Sequence, residues 1–493
     1  MTIRLSLDTL DRLPEGVGRP GYSRADLSPG ILHIGLGNFH RAHQAWYLDR
    51  LFSTGQGHDW AIVGASVMPN DAKGREVLAA QDFLTTVVTQ EADSSAAQVT
   101  GAMIDYITPG DGPALVAAMA DPAIRIVSLT ITEGGYFLDS DGRFDPAHAS
   151  IAADGATPDA PKTVFGLLVA GIRERRAAGH APFTVMCCDN IPHNGDVTRA
   201  AVTGTARLSD PELADWIADN MAFPNAMVDR ITPATTDRER RMLAEEFGVE
   251  DGWPVFAEDF AQWVLEDDFP QGRPALEQVG VQFVPDVTPY ELMKIRILNG
   301  GHAVIAYAAG LLDIEYVHEA MAHPLVAGFL RRVEQTEILP HVPPAPDTDL
   351  HDYLALIETR FANPKIGDTV RRLCLDGSNR QPKFIVPSIR AALAAGAPVE
   401  GLALESAFWC RYCAGITDSG AVIAPNDPDW NSLQQRATRA KSDPAAWLAM
   451  REVYGDLASD ARFARAFATG LTALWQDGTA SVLTRYLDHD QKV

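Results

Sequence analysis

The 493-residue chain is predicted to fold as an α/β N-terminal doubly wound (Rossmann-type) parallel sheet plus a mainly α-helical C-terminal domain. Three observations predict this. Short β-rich runs alternate with helical stretches in the first half, a GxG follows the first of those runs, and strand-like runs stop after about residue 287. Residues 1–286 are therefore read as a dinucleotide-binding domain and residues 287–493 as a helical substrate and catalytic domain.

The runs ILHIGLG (31–37), WAIVGASV (60–67), IRIVSLTIT (124–132) and FTVMCCDN (183–190) read as strands, three of them heavily apolar. Strands covered on both faces have that composition. RAHQAWYLDRLF and KTVFGLLVAGIRERRAAG read as helices between them, which gives the βαβ rhythm of a parallel sheet. Further on, AVIAYAAGLL, HPLVAGFLRRVEQTEIL, IRAALAAG, AAWLAMREVYG and ARFARAFATGLTALW are alanine-rich and amphipathic, and ILPHVPPAPDTD (338–349) is a loop among them.

Hydrophobic residues make up 46% and charged ones 22%, as in an ordinary globular protein. Lys and Arg total 41 against 65 Asp and Glu, a net charge of −24 that repels phosphate backbones and anionic lipid. Neither nucleic acid nor a membrane is expected as a partner. No apolar run reaches bilayer length, and MTIRLSLDTLDRL has no signal-peptide core. The five cysteines, an odd number, fit a reducing cytoplasm. Cys410 and Cys413 form a CxxC without a second pair or a nearby His pair, so they read as buried thiols on a helix.

In HIGLGNFHRAH, Gly35 and Gly37 stand where a first strand should turn into a first helix. Such glycines allow a tight turn and close approach of a pyrophosphate to the backbone. The third glycine position of that fingerprint is His40, which should push the helix slightly off the strand. For NAD the second strand should end in an acid, and Asp71 is the nearest candidate in WAIVGASVMPNDAKGR. Lys73 and Arg75 stand close enough in sequence to meet a 2′-phosphate instead. NAD is the expected cofactor, with NADP as the alternative.

KIRILNGGH (294–302) is the segment that asks for chemistry. At ~100° per residue, Glu291, Lys294, Asn299 and His302 share about 140° of one helix face, together with Ile295 and Leu298. Polar groups on so apolar a helix should face an internal cavity. Burial lowers the pKa of a lysine and makes it a base, and an asparagine amide can donate to a developing alkoxide. The Gly pair after Asn299 is a poor choice for a purely structural helix.

KIRILNGGH closely resembles the lysine–asparagine–histidine helix of the mannitol 2-dehydrogenase family, the polyol-specific long-chain dehydrogenases. TEGGY (132–136), CDNIPHNG (188–195), FPNAMVDRITP (223–233) and DGSNRQPKF (376–384) look like the family's other signatures, in family order. The resemblance runs from about residue 30 to 415. It implies a zinc-independent oxidoreductase with Lys294 as general base and Asn190 and Asn299 as oxyanion donors. It further implies that Glu291 carries the proton to solvent and that His302 holds substrate hydroxyls. Asp229, Arg372, Arg380 and Lys383 would contact the substrate, and Gly35, Gly37, Asn38 and Phe39 the cofactor. The expected reaction is D-mannitol to D-fructose, with D-arabinitol and D-sorbitol as near substitutes. Fructuronate and tagaturonate reductases of the same family are the first alternative, because the basic residues could pair with a carboxylate. A non-redox nucleotide-binding protein is the second, and leaves the Lys–Asn–His helix unexplained. The resemblance leans towards a monomer over a dimer.

Overall fold

The computed structural model describes residues 2–139 and 142–488. They form two compact units, one ending at Thr288 and the other starting at Pro289.

The first unit is built on a five-stranded sheet of β1 (Pro29–Ile34), β2 (Ala61–Ala65), β3 (Met103–Tyr106), β4 (Ile126–Leu129) and β5 (Thr184–Cys187). All its pairings are parallel and the order is β3-β2-β1-β4-β5. That order is the doubly wound one, in which the winding reverses between β1 and β4 and leaves a crevice at their carboxyl ends. The residues alternate between two cores. Leu32, Val127 and Val185 pack with Phe165 and Leu168 on one face, and Ile31, Ile126 and Met186 pack with Leu48 and Phe52 on the other. Two covered faces explain why these runs carry almost no polar residues. β1 leaves the sheet through Gly35–Gly37 and enters α1 (Asn38–Ala42).

The strand expectations fall on β1, β2, β4 and β5, whereas β3 went unread because MIDY is four residues long and half polar. Two further three-stranded sheets were also unread. Thr85–Gln90 lies between Ser95–Thr100 and Val255–Glu258, and Gln262–Glu266 lies between Ala226–Asp229 and Gln282–Val284.

The second unit is helical. α2 (Gly300–Leu311) packs on α3 (Glu400–Cys413), which packs on α4 (Ala461–Asp488). Every residue of α3 after Glu400 is buried, Cys410 and Cys413 included. Both are free thiols whose pKa burial pushes well up, so the CxxC is core. One expectation is corrected here. KIRILN is not an α-helical turn at 100° per residue, since Lys294–Asn299 is a π-helix that runs straight into α2. Its i→i+5 bonds widen the turn, so residues five apart, such as Lys294 and Asn299, come to roughly 50° apart rather than 140°.

Candidate active site

The loop after β1 is set by Gly35. Its φ is +100°, and an added Cβ would sit 2.1 Å from the Thr130 carbonyl oxygen. No other residue fits there. Gly37 differs, because a Cβ added to it meets no atom within 4 Å. Packing does not require that glycine; open space lies beside it, as the approach of a pyrophosphate would need. The loop is held from below, with Gly35 N–H donating to Ala65 O at 2.9 Å and Thr130 Oγ1 donating to Gly35 O at 2.6 Å.

The His40 ring stacks on that of His33 in β1, with centroids 3.5 Å apart and planes 15° apart. His33 bridges to Ser128 Oγ at 2.8 Å and Thr130 Oγ1 at 3.0 Å on the next strand and its exit. Burial brings the His33 pKa down to about 3 and that of His40 well below its ordinary value, so both rings are neutral. The Asn38 side chain is structural, donating to Pro233 O and Thr235 Oγ1, each at 3.0 Å. The backbone N–H groups of Asn38 and Phe39 lie in the first turn of α1, where a helix has no acceptor of its own. Asp71 is exposed, in a turn well past the end of β2. Arg75 Nε donates to Tyr106 O at 2.6 Å, which ties that side chain to β3.

The loops after β4 and β5 carry TEGGY and CDN, and Asp189 fastens them together. Its carboxylate accepts from the N–H groups of Ile131 and Thr132, each at 2.9 Å, and from Tyr136 Oη at 2.6 Å. Thr132 is held at φ 62°, ψ 162°, a region otherwise left to glycine. A β-branched residue there is a strained one. Asn190, next in sequence, is exposed. Behind it Asn194 donates to Asp189 O at 3.0 Å and Ala226 O at 2.7 Å, and Asn225 Oδ1 accepts from Gly195 N–H at 2.8 Å. Asp229 is buried at the end of Ala226–Asp229. The sequence reading missed Asp189, Asn194 and Asn225, although each stands inside a quoted motif. A short side chain with several acceptors or donors, beside a residue assigned a role, was the available signal.

In the second unit Glu291, Lys294 and Asn299 are 6%, 7% and 9% exposed, three buried polar groups within two adjoining turns. Gly301 is needed for closeness, since an added Cβ would lie 3.2 Å from Glu334 Oε1 and 3.5 Å from Phe361 Cε2. His302 stacks on Phe361 with centroids 4.1 Å apart. Burial and then the charges of Arg372, Arg360 and Arg380 hold its pKa well below the ordinary value, so this ring is neutral too. The structure thus gathers Arg372 and Arg380 around His302. Arg372 is gripped by both oxygens of Asp368, and Arg380 Nη1 donates to the carbonyls of Arg372 and Leu373 at 3.2 Å. Lys383 is exposed on the helix Gly377–Phe384. Among the described residues no three His, Cys, Asp or Glu side chains come together as a metal site.

The mannitol dehydrogenase Rossmann domain matches residues 29–278, and the mannitol dehydrogenase C-terminal domain matches residues 286–475. The mannitol 2-dehydrogenase of Cereibacter sphaeroides is 62% identical over 476 residues, covering 96% of this chain and all of that one. That of Phaeosphaeria nodorum is 42% identical over 491 residues, 98% of this chain and 86% of its own. Among solved structures, the Pseudomonas fluorescens mannitol 2-dehydrogenase ternary complex with NAD and D-mannitol superposes with TM-score 0.89 at 43% identity, over 99% of this chain and 100% of that chain. A substrate-free D-sorbitol dehydrogenase gives 0.89 at 35% identity, over 97% and 100%. With both domain families matched in order and such identity over nearly the whole length, the chain belongs to the mannitol dehydrogenase family of oxidoreductases.

Proposed function

We propose that the chain is an NAD-dependent, metal-independent polyol dehydrogenase that oxidises D-mannitol to D-fructose with Lys294 as general base. The observation that carries this is the burial of Glu291, Lys294 and Asn299 together in one widened stretch of helix. The open space at Gly37 beside the strained Gly35 supports a dinucleotide, as does the similarity to the ternary complex with NAD above. When bound, the dinucleotide would supply the hydride acceptor for the alcohol carbon. Lys294 accepts the hydroxyl proton, and Glu291, one turn earlier, passes it towards solvent. Asn299 donates to the oxygen as negative charge grows on it, and Asn190 is assigned the second donor. His302 is neutral and its buried Nε2 has no partner among the described residues, so a substrate hydroxyl would satisfy it. Asp229, Arg380 and Lys383 are assigned further hydroxyl contacts. We assign Gly35, Gly37, and the backbone of Asn38 and Phe39 to the cofactor, with Asp71 at its ribose end.

Arg372 is matched by Asp368, which favours an uncharged polyol over a hexuronate: a free carboxylate there would have to compete with one already in place. The D-sorbitol dehydrogenase match makes D-sorbitol the second substrate to try. The test is a panel of D-mannitol, D-arabinitol, D-sorbitol and hexuronates with NAD and NADP in parallel, read by reduced-nicotinamide absorbance. Turnover of hexuronates without polyols would reverse the substrate assignment, and preference for NADP the cofactor one. We also propose a monomer, which sedimentation velocity would test, and a cytoplasmic setting, in keeping with five unpaired buried cysteines.

A further inference from the structure

Arg41 lies one turn into α1 and is not among the groups assigned above. It is 1% exposed. Among the described residues its guanidinium donates only to neutral oxygens: Nε to Gly37 O at 3.3 Å, Nη2 to Asn38 Oδ1 at 2.7 Å, and Nη1 to Trp253 O. It also lies against the Trp253 ring, 4.1 Å from the centroid. Asp251, the carboxylate that acts on it, is taken up by Gln81 Nε2 at 2.8 Å and by the N–H groups of Thr86 and Trp253, each at 2.7 Å. Burial lowers the pKa of Arg41 only to about 10, so the charge persists at neutral pH. Asp251 therefore acts on Arg41 through space and forms no ion pair with it, which leaves part of the cost of a buried cation uncompensated. Two of its three acceptors belong to Gly37 and Asn38, the residues that border the open space beside the loop.

We propose that Arg41 is a positioning residue for the dinucleotide, fixing the Gly37–Asn38 turn and supplying from beneath it the positive charge that the pyrophosphate meets. The proposal rests on the dinucleotide reading above and assigns no direct contact, since the side chain is covered.

The test compares calorimetric binding of ADP and of adenosine, which differ by the diphosphate, in wild-type protein, Arg41→Met and Arg41→Lys. Arg41→Met should weaken ADP by at least about tenfold and leave adenosine within about twofold, because only the diphosphate carries charge. Its KM for NAD should rise while kcat at saturating NAD and KM for polyol stay near wild type. Arg41→Lys keeps the charge and should retain most of the preference for ADP. Should Arg41→Met fail to fold, the lysine variant decides, together with the fall in its ADP affinity as salt is raised. Equal losses of ADP and adenosine in the methionine variant, or a lysine variant blind to the diphosphate, would overturn the proposal while leaving the dinucleotide reading intact. Wild-type protein that binds neither NAD nor ADP would overturn both.

Discussion

The Gly35–Asn38 loop and the Lys294–Asn299 turn each lead directly into a helix, and they are built in opposite ways. In the loop, a backbone that only glycine accepts is clamped by neighbours: the Thr130 carbonyl and hydroxyl, Ala65 O, and the stacked rings of His33 and His40. The groups proposed to face the ligand there are backbone. In the π-turn the backbone is ordinary helix with one extra residue per closure, and the groups assigned to chemistry are side chains sunk into an apolar surround. A binding loop can be specified by where side chains are missing. A base and its hydrogen-bond donor have to be specified by where they point.

Substitutions at the two places should therefore fail differently. The largest expected effect is at Lys294. Lys294→Ala should lower kcat by ~10²–10⁴ with little change in NAD affinity, and methylamine should restore part of it. Wild-type turnover at neutral pH would remove Lys294 from the role of base. Next is Asn299→Ala, expected to cost ~10²–10³ in kcat with no rescue by an amine, because a fixed amide donor cannot be replaced from solution. Asn190→Ala should behave likewise, and normal turnover in both variants would sink the oxyanion assignment. At the loop the pattern should invert. Gly35→Ala is strained by about 1–3 kcal/mol from its backbone alone, with a clash against Thr130 added. A lowered Tm and a raised KM for NAD should exceed any loss in kcat at saturation. A kcat effect as large as that of Lys294→Ala would erase the distinction between the two regions.

The smallest effect sharpens the contrast through pH. Glu405 in α3 is fully buried, accepts from Gln381 Nε2, and has its pKa raised to about 8 by desolvation. Below the unfolded carboxyl value of ~4.3 both states hold the proton, and above it only the folded one does. Stability from this group is therefore lost as pH rises from there through about 8. Glu405→Gln should flatten the fall in Tm between about pH 5 and 8. His33 in the first unit works in the other sense, losing stability as pH falls below ~6.5 towards about 3. An unchanged Tm profile in Glu405→Gln would mean that the carboxyl is ionised in the folded protein.

The sheet was legible because burial on both faces leaves a mark that survives without coordinates. Ile31 and Leu32, or Val185 and Met186, feed different cores, so the strands show no regular polar–apolar alternation. The shorter sheets carry no such mark: Ser95–Thr100 is half exposed and SAAQVT reads as linker. The positions of Glu291, Lys294 and Asn299 were legible as polar residues in an apolar segment, but their mutual angle was not. Nothing in KIRILN distinguishes four from five residues per hydrogen-bonded step. The wider step comes with what packs there, Lys294–Asn299 lying against the second π-turn, Glu334–Ile338. Asn190 stands in a motif visible in the sequence, whereas the strain at Thr132 that Asp189 holds emerges only once the two loops meet.

The stacked rings beneath the loop have a kinetic consequence. His33 and His40 stay neutral across the whole range in which an ordinary imidazole switches, and burial with three nearby guanidinium groups does the same for His302. None of the three contributes an inflection to a rate profile near neutrality. Whatever bend that profile shows there belongs to another group. A solvent isotope experiment across that bend would therefore test the proton transfer proposed for Lys294 without exchange at these three rings underneath it.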